Sequence, residues 1–445
     1  MRLAKSIQMS IAIALALTMS VNGVAYAAAP TIDANAAGKI EGSGATFPWP
    51  QYTKWFATFS GTNREINQIT SGTSNKQFST SDSTRSLVLS YTGGGSGAGV
   101  TNFSGANRRS PTQMYSGSDA VLSTAERSTI SGTDIGTDYS VIPMIAGPIS
   151  AAYNVPGLKT SSNTAATLKL NGEVLCGIYI GAIKKWNADE IKALNPTVTN
   201  LPDATIEVVG RNDSSGTTFI FASFLGKAST VAQKNCGYHS NFVSNTTNNL
   251  DGAAGSFKPA KTQPGTYFSK IRTANNAAAI TSKDGNAGIA DYVAKTRNTI
   301  GYVESSYVAA YSLKEASVQA RGGAFLQPTA ATVAAALTNA VSTEDPINPS
   351  ASYVQPVFAA GATSYPIVGI SWLLVYHKYM PTAPNGNAVT KQQVQGMIVY
   401  LNWALSGGQA SKELAAGYTP LPSTVLTTAI NELHKIKFNN VVVWP

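Results

Sequence analysis

The sequence of 445 residues reads as an α/β protein. Three observations carry this reading. Short apolar runs with strand character end in glycine-rich turns. Stretches with helical apolar spacing follow those turns. Hydrophobic residues make up 43%, enough to bury a large core and to exclude wholesale disorder. A chain this long is expected to form two or three domain-sized units.

The elements follow in order. Arg2 and Lys5, an apolar stretch from Ile11 to Val21 and then Ala25-Tyr26-Ala27 have the layout of a secretory signal peptide over residues 1–27. A membrane anchor is the other reading, but the apolar run is short against the roughly 20 residues of a span. Gly42-Ser43-Gly44-Ala45-Thr46-Phe47-Pro48 precedes a helix with Tyr52, Trp55, Phe56 and Phe59 on one face, with Thr46 as its N-cap and Pro48 and Pro50 in or near its first turn. Ser86–Tyr91 is a strand running into the Thr92–Gly99 glycine run, which contains Ser96. Ser116–Leu122 places Asp119 among small residues, a pattern usual for a helix N-cap. Thr205–Gly210 is a strand running into Arg211–Thr217. There Ser214-Ser215-Gly216-Thr217 opens a helix that ends at Gly226. Ile367–Tyr376 is a long buried strand. Thr390 caps a helix with Val394, Met397, Ile398, Leu401 and Leu405 on its apolar face, and Gly407-Gly408 ends it. A last helix follows Pro422. The stretches 61–84 and 229–264, rich in Ser, Thr and Asn, read as surface loops.

Three of these segments are Gly/Ser/Thr-rich helix starts, which leave backbone N–H groups unpaired at the positive end of a helix dipole. Each is a candidate anion site, and each is also the ordinary composition of a capped turn. Arg211 brings a fork of donors suited to a tetrahedral oxyanion, and Asp213 is placed to hold that fork. A surface salt bridge is the alternative.

Composition excludes other classes. Charged residues are 12%, about half the usual share of ~25%. That argues against nucleic-acid binding despite the formal charge of +9, from which Arg2 and Lys5 would be removed with the signal segment. No Gly-Lys is followed by Ser or Thr, so there is no P-loop. Gly93-x-Gly95-x-x-Ala98 matches a relaxed dinucleotide fingerprint only weakly, and Gly94-x-Ser96-x-Ala98 misses the nucleophile elbow at its last position. His239, His377 and His434 are scattered and fit no metal pattern, so they are expected to be structural or exposed, with no metal and no cofactor. Cys176 and Cys236 are the only cysteines. In an oxidising compartment they are expected to pair, closing a loop worth roughly 4 kcal/mol. Two separate buried thiols are the alternative. Neither lies near the cleavage site, so no lipid anchor is expected.

The order of these segments resembles the PstS family of periplasmic phosphate-binding proteins, the substrate-binding components of phosphate ABC transporters. The resemblance is carried by GSGATFPWPQYTKW, YTGGGSGAGV, GSDAVL, YNVPGLK, CGIYIGAIKKWN, VVGRNDSSGTTF, GNAGIADYV and IGYVE. It implies a type II periplasmic binding protein fold, with two α/β lobes, a ligand cleft and two crossing strands near Tyr139–Ala146 and Thr299–Val303. Lobe 1 would be 38–143 with 304–445, and lobe 2 would be 144–303. It implies phosphate ligands at Thr46, Phe47, Ser96, Asp119, Arg211, Ser215, Gly216 and Thr217, with Asp213 in support. It also implies a monomer exported to the periplasm, or secreted, that hands phosphate to a membrane permease and catalyses nothing. A scavenging protein or a phosphatase with Ser96 or Ser215 as nucleophile is the alternative. The chain departs from the family pattern at Ser214, at Gly97-Ala98 and in an insertion at 103–113 with Arg108 and Arg109. That insertion is read as a solvated loop or, at the cleft mouth, as an anion guide.

Overall fold

The computed structural model describes residues 38–60, 77–79, 87–120, 122–130, 138–232, 261–262, 268–343 and 356–444. The signal segment, His239, Cys236 and most of 61–84 and 229–264 lie outside the described residues. Cys176 lies on the helix Gly172–Tyr179 and is 8% exposed.

One sheet runs through the molecule. Its strands lie in the order Gln77–Ser79, Leu87–Gly93, Gly38–Gly44, Tyr115–Ser118, Val368–Tyr376, Tyr139–Asn154, Thr299–Glu304, Glu207–Arg211 and Thr281–Lys283. The first half is parallel where Gly38–Gly44 pairs with both of its neighbours. The far half is parallel across Thr299–Glu304, Glu207–Arg211 and Thr281–Lys283. Antiparallel strands join the two. Tyr139–Asn154 pairs with Val368–Tyr376 as far as Pro148 and with Thr299–Glu304 from Ile149 on. The long crossing strand therefore changes partner at Pro148–Ile149, a few residues beyond the 143/144 division expected from the sequence. On the return, Lys314–Glu315 still pairs with Tyr153 and Ala152, and Ser317–Gln319 pairs with Lys169–Leu170. The chain after 304 thus stays with the middle segment for some 15 residues before turning back.

Parallel pairing needs a crossover between successive strands, and the helices on the sheet faces supply it. Trp49–Ser60 buries Tyr52, Trp55 and Phe56. Lys391–Ala404 is capped by Thr390, as expected, in a capping box completed by Gln393, and buries Val394, Met397, Ile398 and Leu401. Ser423–Leu433 follows Pro422 and buries Val425, Ala429 and Leu433.

Four local expectations are corrected. The helix that opens at Gly216 passes Gly226 and runs to Ala232, into the stretch read as a loop. It packs so closely on Gly172–Tyr179 that a Cβ at Gly172 would come within 2.1 Å of the Ala228 Cβ, and this contact outweighs the glycine's weak helix propensity. Residues 77–79 of the other loop stretch pair with Leu87–Gly93. The insertion at 103–113 is docked: its Arg109 guanidinium lies 4.0 Å from the Tyr376 ring centroid, and Arg108 donates to the Gly105 carbonyl. Tyr376 ends its strand five residues beyond Ser371, about 16 Å away at ~3.3 Å per residue, so Arg109 does not guide anions into the site described below. Finally, the helix after Asp119 starts only at Thr124 and is capped by Ser123, not by Asp119. His377 is structural, with Nε2 2.6 Å from the Ser140 hydroxyl, and His434 packs at a tilt against Trp444, ring centroids 3.9 Å apart.

Candidate functional site

Three mutually parallel strands of one half end at Gly44, Gly93 and Ser118, and Glu207–Arg211, parallel to its neighbours in the other half, runs the opposite way and ends at Arg211. Every site residue inferred from the sequence lies at or just past one of these carboxyl ends. In open α/β sheets that is where ligand crevices form. The sheet thus brings together segments distant in sequence: Thr46-Phe47, Ser96, Asp119 and Arg211–Thr217.

Thr46 lies outside the helix it was expected to cap, since that helix begins at Trp49. Its hydroxyl instead accepts from Arg211 Nη2 at 3.2 Å. Its carbonyl accepts the Tyr307 hydroxyl at 3.0 Å, and the Phe47 carbonyl accepts that of Tyr418. In a trans peptide the N–H points away from the carbonyl of the same unit. Tyr307 therefore turns the Phe47 N–H to the opposite side from itself.

Ser96 opens the helix Ser96–Ser104. Gly95, just before it, has φ 88°, a left-handed conformation that favours glycine. A Cβ there would also strike the Asp213 carboxylate at 2.4 Å. Ser96 Oγ accepts two backbone N–H groups, from Asp119 and from Gly216, each at 3.0 Å. The Gly97 N–H donates to the Ser214 carbonyl at 2.9 Å. A Cβ at 97 would lie 2.3 Å from Ser214 Oγ, so the two departures from the family pattern fit each other: Ser214 fills the space that a side chain at 97 would need.

Arg211 is the central cation, with its side chain 1% exposed. Nε donates to Asp213 Oδ1 at 2.6 Å, and Nη2 makes a second, very short bond to Oδ2. Nη1 is buried and has no hydrogen-bond partner among the described residues. Burial opposes the Arg211 charge, but the Asp213 carboxylate more than offsets it and raises the pKa further. Burial likewise pushes Asp213 up, and the Arg211 guanidinium and the Gly285 N–H together hold it below the ordinary carboxylate range. The sequence-based choice between a surface salt bridge and a held fork resolves to a buried, two-point pair.

Ser215 caps the helix that follows: its Oγ accepts the Thr218 N–H at 3.1 Å. Thr217 is 1% exposed, and its hydroxyl accepts from Asn286 Nδ2 at 3.2 Å. Asn286 Oδ1 is buried with no partner among the described residues. A Cβ at Gly216 would come within 2.4 Å of Ser96 Oγ and 2.5 Å of the Asp119 Cβ, so only glycine permits this approach.

Asp119 is 1% exposed, and its Oδ1 accepts the Ser371 hydroxyl at 2.6 Å. Burial pushes its pKa up to about 7, against the lowering effects of Ser371, Arg211, Ser96 and Lys261. The buried site thus holds one permanent cation with an unused donor, one carboxyl poised near neutrality, and hydroxyl and backbone groups at two helix starts. Such a set suits a small oxyanion. Sequence reasoning missed Ser371, Asn286, Tyr307 and Tyr418. For Ser371 the signal was a lone hydroxyl inside an apolar strand. The two tyrosines gave none.

A continuous sheet bridging two α/β halves, with a donor-lined crevice at the strand ends, defines a type II binding protein. The same fold is seen in a high-affinity periplasmic phosphate-binding protein solved with phosphate at pH 8.5, at 20% identity and a TM-score of 0.53 over 89% of this chain and 98% of that one. It is seen again in a phosphate-binding protein from Stenotrophomonas maltophilia, at 19% identity and a TM-score of 0.52 over 89% and 94%. A family model described as a PBP superfamily domain matches residues 29–407. The chain is 29% identical over 407 residues to the phosphate-binding protein PstS of Methanocaldococcus jannaschii, covering 89% of this chain and 86% of the relative. It is 30% identical over 355 residues to phosphate-binding protein PstS 3 of Mycobacterium leprae, covering 78% and 79%. The chain belongs to the PstS family of the PBP superfamily.

Proposed function

We propose that the protein binds inorganic phosphate between its two halves and delivers it to the membrane permease of an ABC-type importer. The observation that carries this reading is the buried Arg211 guanidinium, clamped by Asp213, left with one unused donor and close enough for its charge to act on Asp119. Thr46, the Phe47 N–H, Ser96, Ser215, Gly216 and Thr217 complete the ligand set in this reading.

Asp119 supplies the selectivity. An ionised carboxylate only accepts hydrogen bonds. Phosphate near neutral pH keeps a proton to donate, and sulfate has none. Sulfate would therefore bury an unpaired and repelled charge, and sites that demand a hydrogen-bond partner discriminate by up to ~10⁴–10⁵.

Catalysis is not part of this reading. Ser96 Oγ is engaged as acceptor of two N–H groups, and Ser215 Oγ as a helix cap. The protein works as an exported, periplasmic monomer. No helix among the described residues is long and apolar enough to cross a membrane.

The test is calorimetric titration of ligand-stripped protein with phosphate and with sulfate at neutral pH. Tight phosphate binding with weak sulfate binding is expected. Absence of phosphate binding overturns the reading, and equal binding of both anions removes Asp119 from its role.

A further inference from the structure

Ser371 is a hydroxyl where the strand has no other use for one. Val368–Tyr376 is buried along its whole length, and Ser371 is 0% exposed between Ile370 and Trp372. A buried hydroxyl is costly unless it is hydrogen-bonded, and this one donates to Asp119 Oδ1 at 2.6 Å.

The strand is built to aim it. Trp372 pairs with Ser118, so the next antiparallel step sets Ser371 opposite Asp119. On its other edge the strand slips register by one residue at this point: Ser371 pairs with Ile145 and Trp372 with Pro143, leaving Met144 without an opposite number. Such irregularities re-aim side chains and are common beside functional sites.

We propose that Ser371 is a specificity-determining residue: its hydroxyl fixes the Asp119 carboxyl in one orientation and as a hydrogen-bond acceptor, so that the site takes oxyanions bearing a proton, such as hydrogen phosphate, over equally shaped oxyanions with none, such as sulfate. The proposal rests on the phosphate-binding reading above. Ser371 is a positioning residue, acting through Asp119 rather than on the ligand.

The chemistry follows from donor bookkeeping. A hydroxyl that gives its proton to Oδ1 stabilises the ionised carboxylate and not the neutral acid. The cations that act in the same sense are Arg211 and Lys261. The buried phenols of Tyr52, Tyr91 and Tyr307 also face Asp119, and burial raises all three well above their ordinary range, so they stay neutral. The Ser96 hydroxyl also acts in the same sense as those cations, and without the Ser371 donor the balance shifts further toward burial, so Asp119 holds its proton to higher pH. A protonated Asp119 is a donor, which suits a fully deprotonated sulfate oxygen and no longer requires a proton on the ligand.

The experiment compares the phosphate-to-sulfate affinity ratio of wild type, Ser371→Ala and Ser371→Thr from pH 6 to pH 9, with thermal unfolding of each ligand-free protein as a check on folding. For Ser371→Ala the ratio is expected to fall at least about tenfold at pH 7, the equivalent of one pKa unit on Asp119, and to recover as the pH rises. Ser371→Thr, which keeps the hydroxyl, is expected to stay within about twofold of wild type. A folded Ser371→Ala protein with an unchanged ratio overturns the proposal, as does an equal fall in the Ala and Thr variants, which would trace the effect to packing. If Ser371→Ala does not fold, Ser371→Cys, with its weak donor, takes its place under the same criteria. A wild type that binds no phosphate overturns both this proposal and the reading beneath it. Phosphate-selective binding by wild type with an unchanged ratio in the variant overturns this proposal alone.

Discussion

The Ser96 hydroxyl oxygen accepts the Gly216 N–H at 3.0 Å, joining the first turns of two helices that rise from opposite halves of the sheet. A methyl group on Gly216 would stand in that contact, 2.4 Å from Ser96 Oγ and 2.9 Å from the Asp119 Cα. Gly216→Ala is therefore expected to weaken phosphate binding by roughly tenfold to a hundredfold, the scale of overpacking penalties. The same overpacking outweighs alanine's better helix propensity, so the ligand-free variant should also melt below wild type. Titration and thermal unfolding on one preparation test both halves of this expectation. A variant with wild-type affinity would show that the two helix starts need not approach this closely.

Arg211 makes a two-point pair with Asp213, reaches Thr46 and keeps Nη1 in reserve. A lysine is a point charge with no fork and cannot serve all of these at once. Arg211→Lys is expected to lose phosphate affinity by at least about a hundredfold, in line with the cost of breaking a buried charge pair. Asp213→Asn, which leaves the guanidinium in place but frees its fork, should lose less. The reverse ranking would mean that orientation of the fork, rather than the fork itself, dominates binding.

Glu304 ends the return strand at 0% exposure. Burial pushes its pKa up to about 8, against hydrogen bonds from Ser306 and Tyr418, and the nearby Glu315 charge adds to the rise. A carboxyl with a higher pKa in the folded chain than in the unfolded chain is fully stabilising only below its unfolded pKa of about 4.5. That contribution drains away as the pH climbs from about 4.5 to about 8. Asp119 adds a similar decline up to about 7 in the ligand-free protein. The melting temperature of the ligand-free protein should therefore fall between pH 5 and pH 9. Glu304→Gln should flatten part of that fall, gaining on wild type at pH 9 relative to pH 5. Parallel pH profiles for the two proteins would rule out Glu304 as a source.

What could be read in the sequence was whatever is encoded locally. Gly/Ser/Thr runs at 42–48, 93–99 and 214–217 announce helix starts because the backbone itself demands those residues there. Arg211 and Asp213 announce a pair because they stand two residues apart. Ser371 and Asp119 are far apart in sequence, and only strand pairing makes them neighbours. The tyrosines that hold the Thr46 and Phe47 carbonyls come from a short helix and a late loop with no local mark of their task. The helix continues through Gly226 because Ala228 packs against Gly172, a contact invisible to propensity.

Val368–Tyr376 lies between Tyr115–Ser118 and Tyr139–Asn154, two strands synthesised long before it. Until that late strand is made, the sheet has a gap one strand wide, with bare ladder groups on both sides. A wealth of such long-range pairings makes folding slow, and bare strand edges invite pairing with other chains. Neither half can be cut out as an independent unit, because each relies on the continuous crossing strand. A chain truncated before Val368 would carry two open edges along its apolar centre, and it should aggregate rather than fold.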